Sequence, residues 1–246
     1  MVEIPGVTSR RKGQILWLCD LFIPIFVLIV GAMTASRFYD EGKWWRFVLS
    51  LVATIGVAIL SIVKAAINRA ALARQDSVHD LEGCLHTLLS LLRDCCADPD
   101  AAKLRLTVHR PIDGGKALEQ VLGYVGDHRE LSQSAGRRFP SQSGIIGVAL
   151  REMKATYATR ANDDYEAYLE ELISTWHFTR QDAQAKDQAS KSWMAVPLIL
   201  EESGKKEVKG VIFADSVLPN FFDEDKLYLT VVAASGIARF VQGRYK

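Results

Sequence analysis

Two long apolar runs near the N-terminus restrict what this chain can fold into more than any other feature of its 246 residues. The first run, residues 15–35, has 21 residues and a single charge, at Asp20. The second, residues 47–63, has 17 residues and no charge. Helices of these lengths match a bilayer core about 30 Å thick, at about 1.5 Å per residue. The two runs therefore predict a transmembrane helical hairpin over residues 15–63.

Asp20 opposes insertion of the first run, because a carboxylate at the centre of a helix costs about 2.5–3.5 kcal/mol. Insertion is still expected, because the run also holds many Leu, Ile, Val and Phe residues that each favour it by about 0.3–0.6 kcal/mol. A secretory signal peptide is the alternative, since basic residues precede the run. However, the run is long for a signal and no A-x-A cleavage site follows it.

The basic residues that flank the two runs predict the topology. Arg10, Arg11 and Lys12 precede the first run, and Lys64, Arg69 and Arg74 follow the second. By the positive-inside rule this favours a multi-pass protein of the inner (cell) membrane with both termini in the cytoplasm. Residues 1–14 would then form a cytoplasmic N-terminus.

Polar residues within the two runs are candidates for a role in the membrane. Ser50, Thr54 and Ser61 fall within about 40° of one another on a helix and form a polar stripe. Asp20 and Pro24 interrupt the first run, and ionisable residues inside a membrane are functional candidates by default. The alternatives are helix–helix contacts for Ser and Thr and an interfacial position for Asp20.

The next segment, residues 64–97, contains no Pro and one Gly, which predicts a linking helix. Apolar residues recur in it at alternating steps of three and four, at Val78, Leu81, Leu85, Leu88 and Leu92. This spacing is the a/d seam of a coiled coil and predicts a homo-oligomer. Packing of the same stripe on the chain's own soluble domain is the alternative.

From residue 98 onward the pattern predicts an α+β domain that extends to residue 246. Residues 104–110 and 118–126 alternate like strands around Asp113-Gly114-Gly115, a hairpin signal. The other predicted elements are a strand pair at 192–200 and 208–216 and helices at 163–178 and 221–242. The last helix is predicted to have Asp223 as its N-cap and core residues Leu227, Leu229, Val232 and Ile237.

Three stretches, in this order, resemble the GAF domain family over about residues 104–242. "GRRFPSQSGIIGVALREMKATYA" is similar to the family's aromatic-Pro-x-x-x-Gly turn, its short Gly-x-x-Gly helix and the strand that follows. "SWMAVPLIL" with "KGVIFADS" resembles the central strand pair, and "FFDEDKLYLTVVAASGIARFV" the closing helix. The expected fold is α+β, a GAF-like antiparallel sheet flanked by helices and preceded by two transmembrane helices and the linking helix. Gly144 and Gly147 would allow a tight turn and close packing of the short helix.

The GAF resemblance implies a pocket for a small ligand, and a cyclic nucleotide is the first candidate. Aromatic side chains could stack on a base, and Arg side chains or the N–H groups at the start of the Gly144 helix could hold a phosphate. A place in the core is the alternative for most of the aromatic residues. The predicted ligand-binding residues are Arg138, Phe139, Ser141, Ser143, Tyr157, Thr159, Arg160, Asp163, Tyr165, Tyr168, Trp176 and Trp193. Phe178 and Asp164 belong to the same wider set.

Signatures of catalysis or metal binding are not found in the sequence. HExxH, GxSxG, GxGxxG and clustered Cys/His spacings are all missing. GAF-like proteins that reduce free methionine sulfoxide or attach a bilin use cysteines, and the four cysteines here all precede residue 97. The prediction is therefore a protein that is not an enzyme, with no catalytic residues, metal or cofactor. Nucleic acid is not expected as a partner, since the formal net charge is only +1.

The predicted function is a membrane-anchored sensor or effector. Ligand binding in the cytoplasmic domain would be relayed through the linking helix to the hairpin, by oligomerisation and membrane permeabilisation. That architecture resembles transmembrane effectors of bacterial cyclic-nucleotide antiviral defence. Since only "GRYK" follows the closing helix, the output is expected in the hairpin or in a partner protein. The alternatives are a sensory or scaffolding subunit that recruits a separate protein such as a kinase, and a plain anchor whose GAF-like fold only dimerises.

Overall fold

The computed structural model describes residues 10–35, 44–127, 135–202 and 204–244. Two compact units are present, one within residues 6–76 and one within residues 77–246. The helices are α1 (Arg10–Ala35), α2 (Trp44–Asp94), α3 (Pro99–Ala102), α4 (Gly144–Glu152), α5 (Tyr165–Ser174), α6 (Arg180–Gln184) and α7 (Glu224–Arg244). The strands are β1 (Arg105–Ile112), β2 (Ala117–Gln120), β3 (Val125–Gly126), β4 (Arg138–Pro140), β5 (Thr156–Thr159), β6 (Ser192–Glu202) and β7 (Lys205–Ser216).

In the first unit, α1 contacts the N-terminal part of α2 at two points. The ring of Phe26 lies beside Gly56, where an added Cβ would be 3.8 Å from the ring. Lys64 donates a hydrogen bond to the carboxylate of Asp20, so the single acid of the first apolar run is paired with a base that follows the second. The carboxylate of Asp20 is therefore paired with a base and is not an isolated charge among apolar side chains.

The apolar side chains of the first unit are largely exposed. Trp17 is 63% exposed, Leu28 72% and Ile62 69%. Among the described residues, one stretch is long and apolar enough to cross a membrane, Leu51–Arg69, and the apolar stretch of α1, Trp17–Val30, is shorter. By length and composition the described residues thus contain one candidate span, where the sequence predicted two.

The polar residues predicted to act in the membrane lie at separate places in these helices. Pro24 lies inside α1. Thr54 and Ser61 are exposed on α2, and the side chain of Ser50 lies outside the described residues. Their proposed role in the membrane stays a prediction.

The second unit is built on a seven-stranded antiparallel sheet with the order β4-β2-β1-β7-β6-β5, in which β3 also pairs with β1. The predicted hairpin at Asp113-Gly114-Gly115 is confirmed as a short 3-10 turn between β1 and β2. The second predicted strand pair is confirmed as the long hairpin of β6 and β7. The predicted strand at 118–126 is divided into β2 and β3, with an irregular stretch between them.

One face of the sheet is covered by the end of α2 and by α7. The leucines of the predicted coiled-coil seam are all buried in the core on this face, namely Leu81, Leu85, Leu88 and Leu92. The coiled-coil prediction is therefore wrong for these four leucines, because their stripe packs on the chain's own sheet. The side chain of Val78 lies outside the described residues. A homo-oligomer stays a prediction, without this seam as its contact.

Helix α7 confirms part of what the sequence predicts for it. The Asp223 carboxylate accepts a hydrogen bond from the backbone N–H of Lys226 at 2.9 Å, as an N-cap does. Ile237 is buried, and Leu227 and Leu229 are half-buried against the core. Val232 was predicted in the core but is 56% exposed. The reason is helical geometry, since five residues at about 100° each place it roughly 140° from Ile237.

The other face of the sheet is covered by α4, α5 and α6, so both faces are buried under helices and the α+β class is confirmed. Gly144 has a φ of +73°, and an added Cβ would lie 2.6 Å from the ring of Phe178. At Gly147 an added Cβ would lie 2.6 Å from the carbonyl oxygen of Ser141. The two glycines thus let α4 start only three residues after β4, packed closely against the turn that precedes it.

Candidate functional site

A cavity of about 130 Å³ lies between the second face of the sheet and the helices that cover it. Strand alternation determines what lines its floor, because every second side chain of a strand points to the same face. On β1 the apolar residues Leu106 and Val108 enter the main core, and Arg105 and His109 line the cavity. A concave site with a few convergent polar groups is where small ligands usually bind.

Arg105 is the central charge of the cavity and is 1% exposed. It lies directly opposite Asp215 in the β1–β7 ladder. Its Nε donates to Asp215 Oδ1 at 2.7 Å and its Nη2 to Asp215 Oδ2 at 2.8 Å and to Asp187 Oδ2 at 2.7 Å. Burial acts to lower the pKa of Arg105, but the hydrogen bonds and charge of Asp215 outweigh it and raise the pKa. The guanidinium is therefore permanently charged.

One nitrogen of this guanidinium makes no hydrogen bond within the described part of the chain. Nη1 of Arg105 is buried and has no hydrogen-bond partner among the described residues. An unsatisfied buried donor on a charged group is costly, which makes this N–H pair a natural place for an acceptor atom from outside the chain.

His109 lies on the same face of β1 as Arg105 and Thr107 and is also 1% exposed. Its ring packs edge-on against Phe139 and Phe213, with centroids 5.6 Å and 6.1 Å away. Burial, with smaller contributions from the charges of Lys186 and Arg137, lowers its pKa to about 3. The imidazole is therefore neutral at physiological pH, and its Nδ1 has no partner among the described residues.

Lys186 follows α6 and is half-buried in the wall of the cavity. Its ammonium nitrogen lies 4.2 Å from the ring centre of Phe178 and 5.2 Å from that of Phe139. Burial, and next the charge of Arg137, lower its pKa to about 8. The cation–π contacts with the two rings compensate in part for the water that the ammonium has lost.

Aromatic rings form most of the remaining wall. Tyr168 and Trp193 stack with their planes 3° apart and their centroids 6.1 Å apart. The guanidinium of Arg160 covers the outer face of Tyr168 at 4.0 Å. Phe178 is held against Gly144, where a larger residue would displace the ring. The lining is therefore an apolar, aromatic shell around a small group of charges.

The structure brings together six residues of the wider predicted set. They come from β4, from the loop before α4, from α5 and the loop after it, and from β6. All six line the cavity: Phe139, Ser143, Tyr168, Trp176, Phe178 and Trp193. Their role in binding stays a prediction, whereas their place in the wall of one cavity is observed.

The other predicted residues lie outside the cavity. Arg138 is exposed beside Glu119, and Ser141 donates to the carbonyl oxygen of Lys116 at 2.9 Å. Arg160 donates to the backbone carbonyl oxygen of Asp163 in its own loop at 2.9 Å and to that of Gln188 in a distant loop at 3.2 Å, and it does not line the cavity. The remaining members of the predicted set are also elsewhere, on β5 or at the start of α5: Tyr157, Thr159, Asp163, Asp164 and Tyr165.

Sequence reasoning missed the charged centre, which consists of Arg105, His109, Lys186, Asp187 and Asp215. A signal for the two β1 residues was present, because Leu104-Arg105-Leu106 and Val108-His109 alternate apolar and polar residues in a strand. If both sheet faces are covered, the polar members of such a strand must lie inside. The sequence contained no comparable signal for Lys186, since it lies in a polar loop.

Comparisons with known proteins give fold neighbours only. No family model matches the chain, and no curated protein matches it. The chain is similar to the GAF domain region of a Geobacter sulfurreducens PCA protein, at 19% identity over 68% of this chain and 97% of that one, with a TM-score of 0.45. It is also similar to the GAF domain of a Coxiella burnetii phosphoenolpyruvate-protein phosphotransferase, at 14% identity, 71% and 93% coverage and a TM-score of 0.43.

A third similar structure corrects one prediction. It is the type II free methionine-R-sulfoxide reductase of Thermoplasma acidophilum, at 14% identity over 67% of this chain and 96% of that one, with a TM-score of 0.40. Proteins with this kind of fold thus include enzymes. The prediction that the chain is not an enzyme is wrong as an exclusion, because the missing sequence motifs on which it rested do not rule out an enzymatic role.

Proposed function

We propose that the chain is a membrane-anchored sensor whose second unit binds a small anionic ligand in the cavity. The observation that carries the proposal is Arg105, a permanently charged residue that lines the cavity, is 1% exposed, and whose buried Nη1 has no hydrogen-bond partner among the described residues. A carboxylate or phosphate oxygen is the acceptor that suits a guanidinium best.

The charges around the cavity also favour an anion. Three cations line it, Arg105, Arg137 and Lys186, against the two carboxylates of Asp187 and Asp215. Both carboxylates already bind the Nε and Nη2 sides of Arg105. Because His109 is neutral, the cavity holds an excess of positive charge that a single anionic group would neutralise.

The volume of the cavity favours a ligand smaller than the cyclic nucleotide expected from the sequence. Sites for drug-sized ligands usually have volumes of about 300–1,000 Å³. A cavity of about 130 Å³ is closer to the size of a single ring. The aromatic wall suits a ligand with a planar or apolar body, so a small carboxylic acid is the best match. A cyclic nucleotide would require Phe139 or Phe178 to move.

The exposed apolar surface of the first unit supports the membrane part of the proposal. Trp17, Leu28 and Ile62 are each more than half exposed, which in water would be a large unfavourable surface. Lipid covers such a surface without further protein, and Leu51–Arg69 is long enough to span the core. In the proposed hairpin α1 also lies in the membrane, with the charge of Asp20 neutralised by Lys64.

The output proposed for the sensor is a change in the membrane helices. Helix α2 runs from Trp44 to Asp94 and contributes residues to both compact units. A movement of its C-terminal leucines on the sheet would therefore be passed along the helix backbone to the membrane segment. Clustering of the hairpins and permeabilisation of the membrane, as in antiviral effectors, is the form of output that the sequence suggests. Leakage of a fluorescent dye from liposomes that contain the full-length chain, with and without ligand, tests it.

The binding proposal is tested by thermal unfolding of the full-length chain in detergent. Benzoate and propionate, their neutral amides, inorganic phosphate and cyclic nucleotides are compared. A ligand present at 100 times its Kd adds about 2.7 kcal/mol to the free energy of unfolding. We expect a carboxylate to raise Tm and its amide to leave Tm unchanged.

Two matched variants localise the effect. His109→Phe fills part of the cavity and should abolish the shift, and Tyr157→Ala, which changes an exposed residue outside the cavity, should retain it. A Tm that responds equally to acid and amide, or a shift that survives His109→Phe, would show that the cavity is not an anion site.

A further inference from the structure

The ammonium group of Lys186 is placed unlike that of an ordinary surface lysine. Its Nζ lies over two aromatic rings, those of Phe178 and Phe139. No carboxylate in the described part of the chain forms an ion pair with it, and the charges that act on its pKa are those of Arg137, which lowers it, and Asp182, which raises it. A lysine without an acidic partner in an apolar wall is poorly solvated, and this is the usual setting of nucleophilic lysines.

The protonation of Lys186 makes it available as an amine. With a pKa of about 8, about one molecule in four carries the neutral amine at pH 7.5. A surface lysine with a pKa near 10.4 is neutral in roughly one molecule in a thousand at that pH. Only the neutral form has the lone pair that can attack an electrophile.

The polar groups of the cavity show what kind of electrophile it would accept. The ring centre of Phe139 lies 5.2 Å from the ammonium nitrogen of Lys186 and 5.6 Å from the imidazole centroid of His109. Arg105, whose Nη1 has no hydrogen-bond partner among the described residues, lines the same small cavity. A carboxylate bound by Arg105 would leave the rest of a short molecule in the cavity that Lys186 also lines.

We propose that Lys186 forms a reversible imine with the carbonyl carbon of a small oxo acid whose carboxylate is bound by Arg105. The inference rests on the proposed anion site and names its ligand class. The amine nitrogen adds to the carbonyl carbon and gives a carbinolamine. The carbonyl oxygen then leaves as water with the two hydrogens of the amine, and the C=N bond forms. No oxidant or reductant is needed.

The aromatic wall favours the second part of this reaction. Loss of water from the carbinolamine is promoted where bulk water is scarce. The rings of Phe139, Trp176 and Phe178 all line the cavity, and those of Phe139 and Phe178 lie against the ammonium group. Hydrolysis returns the amine and the free ligand, so occupancy follows the concentration of the oxo acid, as a sensor requires.

The experiment uses the full-length chain in detergent with glyoxylate and sodium cyanoborohydride, which reduces an imine to a stable secondary amine. We expect one carboxymethyl group per chain, found by peptide mapping at Lys186 and formed at least tenfold faster there than at any other lysine. The rate should rise with pH to half its maximum near pH 8, whereas surface lysines continue to gain reactivity towards pH 10.

Variants and a second readout separate this inference from the proposed function. Lys186→Arg and Lys186→Met should lose the adduct, and Lys191→Arg, which changes a more exposed lysine paired with Asp163, should keep it. Labelling spread evenly over the lysines, or retained in both Lys186 variants, overturns the imine. If propionate raises Tm but glyoxylate gives no adduct, the imine is overturned and the anion site stands. If neither ligand has an effect, both proposals fail.

Discussion

Arg105 and Asp215 face each other across β1 and β7, and the guanidinium donates one hydrogen bond to each oxygen of the carboxylate. Ser190 donates a further hydrogen bond to Asp215 Oδ2 at 2.8 Å. The two residues are 110 positions apart in the chain, so the pair joins the first strand of the sheet to the last one. The ion pair fixes the Arg105 guanidinium in the wall of the cavity, and the Nη1 of that guanidinium has no hydrogen-bond partner among the described residues.

Removal of Arg105 should destabilise the second unit strongly. Arg105→Met leaves the buried carboxylate of Asp215 without its cation, and breaking a buried pair in this way costs about 3–5 kcal/mol. The matched control is Lys209→Met, which breaks the more exposed Lys209–Glu207 pair and should cost far less, because water screens exposed pairs. Both are measured by urea unfolding followed by tryptophan fluorescence. Equal losses in the two variants would contradict the central role of the buried pair.

His109 should make the stability of the second unit depend on pH on the acid side. Its pKa is about 3 in the fold and about 6.5 when unfolded, so below pH 6.5 the unfolded chain binds a proton that the folded chain does not. The free energy of unfolding should therefore fall as pH drops from 6.5 towards 3, by up to about 1.4 kcal/mol per pH unit from this residue.

The variant His109→Phe should flatten that decline between pH 6.5 and 4.5. The control is His79→Gln, since His79 is exposed on α2 and its change should leave the decline as in the wild type. The free energy of unfolding is measured at several pH values for all three proteins. Parallel curves for wild type and His109→Phe would show that His109 is protonated in the fold.

Gly144 and Gly114 offer a comparison between backbone strain and steric contact. Both have positive φ, +73° and +68°, but a Cβ at Gly144 would press on the Phe178 ring, and one at Gly114 would meet no atom within 4 Å. Gly114→Ala should cost only the left-handed conformation, about 1–2 kcal/mol. Gly144→Ala should cost more and should also weaken binding of a carboxylate, because Phe178 lines the cavity. Thermal unfolding with and without benzoate measures both effects, and equal costs would mean that Phe178 can move freely.

The ion pair between Asp20 and Lys64 should matter for membrane insertion. Lys64→Gln leaves the carboxylate of Asp20 without its cation beside apolar helices, which makes insertion less favourable. We expect less chain in the carbonate-resistant membrane fraction. The exchanged variant, Asp20→Lys with Lys64→Asp, should restore the wild-type amount. No recovery in the exchanged variant would argue that the two residues act separately.

Much of the second unit could be predicted from the sequence because its signals are local. The turn at Asp113-Gly114-Gly115, the two strand pairs and the N-cap at Asp223 depend on residues a few positions apart. The heptad stripe on α2 was equally clear but ambiguous. A row of leucines is buried equally well by a second helix or by the chain's own sheet, and only the packing in the second unit selected the sheet.

The sequence by itself determined that the chain has an apolar N-terminal segment and an α+β domain with aromatic residues around the Gly144 turn. Only the tertiary structure decided that Arg105, His109, Lys186 and Asp215 share one cavity. The physical reason is that alternation in a strand shows which side chains share a face but not what covers that face. The partners of Arg105 and the rings around Lys186 come from distant strands and loops. They meet only once the sheet has formed and the helices cover it.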